Sequence, residues 1–176
     1  MRYLFTLLVL CLFTNTAFSS NNEKKLAGIY LNKNNMSVIE IYGSPNEIEI
    51  EKIEKKSLDF ISAFGKINST PDNYDNLFWI YKYKTYTIKV SINSSSNIDS
   101  ISLMGQSSPF YTSKNIKLGS NYSDVIQKYG IPNYKVEYEN SIILNYNNAI
   151  EFTISKSNKV PMQDWIVKQI KINSYE

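Results

Sequence analysis

Glu137 and Glu139 stand two residues apart in an alternating stretch of the chain, and carboxylates at that spacing on a strand share one face. A pair of convergent carboxylates can act as acid and base in glycan hydrolysis, although solvated charges on an exposed strand are the simpler reading of these two. The catalytic side chains on offer are Asp, Glu, Lys, Tyr, Ser and Thr. The chain has no histidine, its single cysteine is Cys11 and its single arginine is Arg2. Both lie in an N-terminal segment that reads as a removable leader, so the mature protein is expected to work without thiol, imidazole or guanidinium. That excludes Ser-His-Asp triads, Cys-His nucleophiles, disulfide frameworks and Cys/His zinc sites by residue type. No cofactor or metal is expected.

The leader reading rests on Met1-Arg2, the apolar run Tyr3 to Phe13, and a polar stretch closing on Ala17-Phe18-Ser19. A positive end, a short apolar core and small residues at the cleavage positions are the layout of a signal peptide over residues 1–19. The run is shorter than the roughly 18 apolar residues a spanning helix needs. Leu8-Val9-Leu10 lacks the small residues that would mark Cys11 for lipid attachment, so no stable membrane anchor is expected after cleavage. The implied localisation is periplasmic or secreted.

Aromatic residues offer the other candidate chemistry, which is recognition. Phe78, Trp79, Tyr81, Tyr83 and Tyr86 crowd one segment, and alternation sends Trp79, Tyr81 and Tyr83 to one face and Phe78, Ile80 and Lys82 to the other. Tyr and Trp supply large contact area at low entropic cost. Trp79, Tyr81 and Tyr83, with Trp165 beside the Pro161–Asp164 stretch, are therefore the candidate binding residues. The same aromatics would equally serve as core beneath a helix. The net charge of +3 comes from lysines interleaved with carboxylates, which describes a solvated surface and lacks the basic footprint of a nucleic-acid binder.

These residues are positioned by an internal repeat. Ile29-Tyr30-Leu31 and Asn34 to Asn46 lie over Ile116-Lys117-Leu118 and Asn121 to Asn133 without a gap, at an offset of 87 residues at both ends. Each copy carries the signals of one short helix: Asn34 or Asn121 to cap its start, Asp124 in the second copy's first turn, and Gly43 or Gly130 to end it before Pro45 or Pro132. Val38, Ile39 and Tyr42, like Val125, Ile126 and Tyr129, form an apolar stripe that predicts packing on a sheet. Alternating segments follow: Glu47 to Glu51, Leu77 to Tyr83, Thr85 to Ile92 and Ile98 to Leu103 in the first copy. In the second they are Tyr134 to Tyr138, Ser141 to Tyr146, Ala149 to Ile154 and Ile166 to Ile172. The expected fold is α+β, two repeated units each with a short helix on its own small antiparallel sheet. Residues 20–105 form the first unit, with an insertion at 52–76, and residues 106–176 form the second, Gly105 to Pro109 reading as the boundary.

Leu118-Gly119, the helix containing Val125, Tyr129-Gly130-Ile131-Pro132, the strands with Tyr146 and Phe152, and a last strand ending in Ile170 and Ile172 resemble the SmpA/OmlA and beta-lactamase-inhibitory-protein-like superfamily. The first copy keeps Tyr42-Gly43-Ser44-Pro45 and Trp79-Ile80-Tyr81 but has Asn32 where the second has Gly119. The resemblance implies a module that binds through sheet faces and loops, in envelope assembly or enzyme inhibition. The functional expectation is thus an exported, non-enzymatic protein-binding module with a protein partner and no nucleic acid. A carboxylate-dependent glycan-acting enzyme and a purely structural accessory protein are the alternatives.

Overall fold

The computed structural model describes residues 23–51, 76–156 and 165–174. The leader at 1–19, nearly all of the insertion and the Pro161–Asp164 stretch lie outside the described residues. A two-stranded hairpin, β1 (Lys25–Leu26) and β2 (Ile29–Tyr30), precedes helix α1 (Met36–Tyr42). Strands β3 (Glu47–Glu51), β4 (Asn76–Lys82), β5 (Tyr86–Ile92) and β6 (Ile98–Gly105) follow. After helix α2 (Tyr122–Tyr129) come β7 (Tyr134–Glu137), β8 (Ser141–Tyr146), β9 (Ile150–Lys156) and β10 (Trp165–Asn173).

The α+β expectation of two separate helix-on-sheet units is corrected by the strand order. All eight long strands belong to one antiparallel sheet, β3-β4-β5-β6-β10-β9-β8-β7, and the described chain is mostly β with two short helices. The two meanders join where β6 pairs β10, with Leu103 opposite Ile170 and Ile101 opposite Ile172. These four side chains are fully buried. A sheet cut between β6 and β10 would expose them as two apolar edges, so fusion of the meanders buries what two separate sheets could not.

The core lies on one side of the sheet. Ile88, Val90, Leu144, Phe152 and Ile154 project from the strands to meet Leu26, Ile29, Val38, Ile116, Leu118 and Val125 from the hairpin, the helices and the 106–121 connection. The opposite face is polar at its centre, where Ser100 and Ser102 sit between Ser91, Lys89, Lys171 and Asn173 on neighbouring strands.

Both helix ends follow the expected signals. Asn34 Oδ1 accepts the Met36 N–H at 2.9 Å, and the Asp124 carboxylate accepts the Asn121 N–H at 3.3 Å. The Gly43 N–H donates to Ile39 O, and the Gly130 N–H to Ile126 O. Past each helix the two segments use matching bonds: Tyr81 Oη donates to Gly43 O and Tyr146 Oη to Gly130 O, while Asn46 and Asn133 side chains accept the N–H groups of Lys82 and Asn147. The repeated residues thus serve as corner pins of a shared sheet.

The buried phenols give the fold an alkaline limit. Burial, then the neighbouring phenols of Tyr83, Tyr86 and Tyr81, push the Tyr42 hydroxyl from 10.0 up to about 12. Burial also raises Tyr129 and Tyr146. A group whose folded value is raised contributes stability below its unfolded value and loses it as pH climbs through the folded one. The denaturant midpoint is therefore expected to hold up to about pH 10 and to fall between about pH 10 and about pH 12. Tyr42→Phe should flatten that fall, and a midpoint level across the window would contradict the burial of these hydroxyls.

Candidate functional site

The four aromatic candidates separate in the structure. Trp79 (8 % exposed) and Tyr81 (2 % exposed) lie opposite Val90 and Ile88 on the core side of the sheet, so these two are packing residues and do not form an exposed binding surface. Tyr81 also packs against Tyr42, ring centroids 5.3 Å apart. Trp165 is half-buried against the core, with the Lys156 ammonium 5.4 Å from its ring centroid. Of the four, Tyr83 is the one that is largely exposed, at 43 %. Alternation places Trp79 and Tyr81 on one face, as the register shows; it carries no information on which face is inside.

Tyr83 stands at the tip of the β4–β5 hairpin, where its N–H donates to Tyr86 O at 2.9 Å. The two rings stack, 4.6 Å between centroids and 20° between planes, and Tyr86 in turn meets the edge of Phe110 at 5.8 Å. Tyr83, Lys84, Thr85, Tyr86, Thr87, Met104, Gly105 and Gln106 line a shallow recess of about 420 Å³. Its shape is held by the Gln106 N–H on Thr85 O and the Thr85 hydroxyl on Ser107 O, both 2.9 Å. Among the described residues Lys84 has no carboxylate partner, whereas Lys82 and Lys89 are paired with Glu47 and Glu49. An aromatic floor beside an unpaired cation suits an apolar side chain flanked by a negative group.

Phe110 also lines a second cleft of about 330 Å³, with residues including Glu23, Ala27 and Ser113. Here the buried Glu23 carboxylate accepts three hydrogen bonds, from the Ser113 N–H (2.9 Å), the Ser113 hydroxyl (2.6 Å) and the Tyr129 hydroxyl (2.7 Å). Burial raises the Tyr129 phenol, and the Lys114 ammonium lies 4.8 Å from its ring centroid. This cluster staples the N-terminal segment and the 112–115 turn to α2, which holds Phe110 against Tyr86.

Glu137 and Glu139 do not converge on a cleft. Both are exposed, β7 ends at Glu137, and Glu137 pairs with Lys135 at 2.5 Å. Among the described residues no group of three or more His, Cys, Asp or Glu is placed to hold a metal ion. No described helix is long and apolar enough to cross a membrane.

One feature went unread in the sequence. The edge strands occupy matching repeat positions with opposite patterns: Glu47 and Glu49 of β3 point to the open face and Ile48 and Ile50 to the helix side, while β7 sends Tyr134 and Val136 to the open face and Lys135 and Glu137 to the helix side. The alternation Tyr-Lys-Val-Glu-Tyr at 134–138 was the available signal.

No family model matches the chain, and no curated protein does. Among solved structures, a cysteine-rich secretory protein from Staphylococcus aureus subsp. aureus Mu50 is similar with a TM-score of 0.51 and 11 % identity, over 86 % of this chain and 46 % of that one. The chain thus spans about half the length of that protein. A DUF4309 family protein from Bacillus subtilis subsp. subtilis str. 168 has a TM-score of 0.48 and 13 % identity, over 85 % of this chain and 84 % of that one. At such identities the staphylococcal likeness is one of fold alone.

Proposed function

We propose that the protein is an exported, non-enzymatic protein-binding module, acting in envelope assembly or enzyme inhibition, and that its tyrosine recess receives a loop of the partner. The observation that carries this reading is the exposed Tyr83 ring stacked on the half-buried Tyr86 beside Lys84 at the tip of a well-braced hairpin. Rigid aromatic groups lose little entropy on binding, and an ammonium at the rim with no carboxylate partner among the described residues adds attraction for an acidic loop. The partner loop accordingly carries an apolar side chain next to a carboxylate. Export rests on the leader-like residues 1–19, and the resemblance to SmpA/OmlA modules, which act through sheet faces and loops, belongs to the same proposal. The test is capture from envelope extract by immobilised wild-type protein and by Tyr83→Ala and Lys84→Glu variants. Both substitutions are at exposed positions; Lys84→Glu should leave the melting temperature unchanged, and Tyr83→Ala, which removes a stacked ring, should lower it by only a few degrees while the protein stays folded. A protein retained by wild type and lost by both variants supports the recess; equal retention by all three removes it.

A further inference from the structure

We infer that β7 is a self-complementary edge through which two copies of this chain pair antiparallel into one continuous sheet. The inference is independent of the tyrosine recess, which lies on the hairpin that follows the other edge's neighbour, β4.

Backbone geometry sets the positions first. Tyr138 N–H donates to Ser141 O, its direct partner across the ladder, at 2.8 Å. Bonded pairs alternate along antiparallel strands, so Tyr134, Val136 and Tyr138 direct their main-chain groups to β8, and Lys135 and Glu137 direct theirs outward. Among the described residues no strand lies beyond β7 to receive them.

Side-chain chemistry then selects the register. An incoming copy must present its own residues 135 and 137 to those outward groups. Register centred on 135 opposes two ammonium groups, and register centred on 137 opposes two carboxylates; both are unfavourable across a strand pair. Centred on Val136, the strands place Lys135 of each copy against Glu137 of the other, with main-chain hydrogen bonds at both pairs. Tyr134 then faces Tyr138 of the second copy, and Val136 faces its own symmetry mate. Tyr134 (69 % exposed), Val136 (44 %) and Tyr138 (58 %) are among the most exposed apolar side chains of the molecule, and this arrangement gathers them into one cluster on the open face.

Lys135 and Glu137 already pair within one copy, on the same side of the sheet, so dimerisation exchanges one ion-pair partner for another and leaves no charge unpaired. The opposite edge cannot do the same. Among the described side chains of β3, Glu47 and Glu49 are carboxylates and none is a cation, which sets two such edges against each other. A twofold contact at β7 is closed and isologous, ending assembly at two copies.

Sedimentation equilibrium on the purified protein tests this. The expected result is a dimer that dissociates on dilution below about 100 µM, a weak to moderate contact of the kind small interfaces give. Lys135→Glu and Glu137→Lys should each raise the dissociation constant by about tenfold or more, and the double swap, which restores opposite charges, should return it to within about threefold of wild type. In the protein freed of residues 1–19, which carries no other thiol, Val136→Cys should oxidise to a disulfide-linked dimer, because the two side chains meet on the axis. A monomer at about 100 µM, a dimer indifferent to both single reversals, a swap that fails to restore pairing, or absence of the crosslink each overturns the inference.

Discussion

Phe152→Ala is expected to destabilise the protein by about 3–5 kcal/mol, the usual range for truncating a buried aromatic ring. Phe152 is fully buried and lies between Leu144 and Ile170 on the adjacent strands β8 and β10. Its ring meets Tyr129 edge-on at 4.9 Å and Tyr146 at 6.0 Å, so truncation removes aromatic contacts from a helix and a strand together. The surrounding groups are pinned: Tyr146 Oη is held by Gly130 O and Tyr129 Oη by Glu23, so neither ring can swing into the void. A cavity that cannot collapse puts the cost toward the upper end of the range. Denaturant unfolding of wild type and variant measures it. A loss under about 1 kcal/mol would show that the ring does not occupy this interior.

Gly105→Ala is the second large effect, expected at about 3 kcal/mol or more, because it combines backbone strain with a steric conflict. Gly105 has φ of 138°, and an added Cβ would stand 2.4 Å from Thr85 O and 2.8 Å from Tyr86 Cα. Both neighbours are main-chain atoms, Tyr86 of β5 and Thr85 of the hairpin just before it, whose carbonyl is held by the Gln106 N–H, so neither can rotate aside. Relief requires parting β5 from β6 at the pair Tyr86–Gly105, which is where the tyrosine recess is braced. The variant should therefore lose stability and partner binding together, whereas Phe152→Ala should lower stability with the recess intact in the folded fraction. Thermal melts followed by near-ultraviolet tyrosine dichroism distinguish the two. Wild-type melting for Gly105→Ala would contradict the close approach of the two strands.

The elements were largely legible in the sequence because their signals are local. Asn34, Gly43 and Pro45, and Asn121, Gly130 and Pro132, punctuate the chain around each helix, and the alternation of Ser141 to Tyr146 and Glu47 to Glu51 marks two strands to the residue. Assembly was not legible, because pairing is a non-local choice. Ile101 and Leu103 on β6, and Ile170 and Ile172 on β10, show the same apolar alternation whether the two strands end separate sheets or join one. The repeat itself encouraged the wrong division, since matching segments suggest matching units. Two meanders with the same corner pins can equally share a central seam.

The site was partly legible for a related reason. Trp79 and Tyr81 share a face as the alternation predicts, but helix packing decides which face is covered, and that face took both. Tyr83 escapes because the strand ends at Lys82 and the hairpin carries its ring past the sheet. Tyr86, which lines the recess, and Phe110, whose ring meets it, are separated by 24 positions and come together only when β6 folds back along β5.

The protein-binding account is tested most directly by titrating the captured and purified partner against wild type, Tyr83→Ala and Lys84→Glu, with Glu137→Lys as a control for the distant edge. The account predicts that Tyr83→Ala weakens affinity by about tenfold or more and Lys84→Glu by about threefold to tenfold, with a loss that shrinks at high salt, while Glu137→Lys leaves it unchanged. Equal affinity for wild type and both recess variants would contradict it.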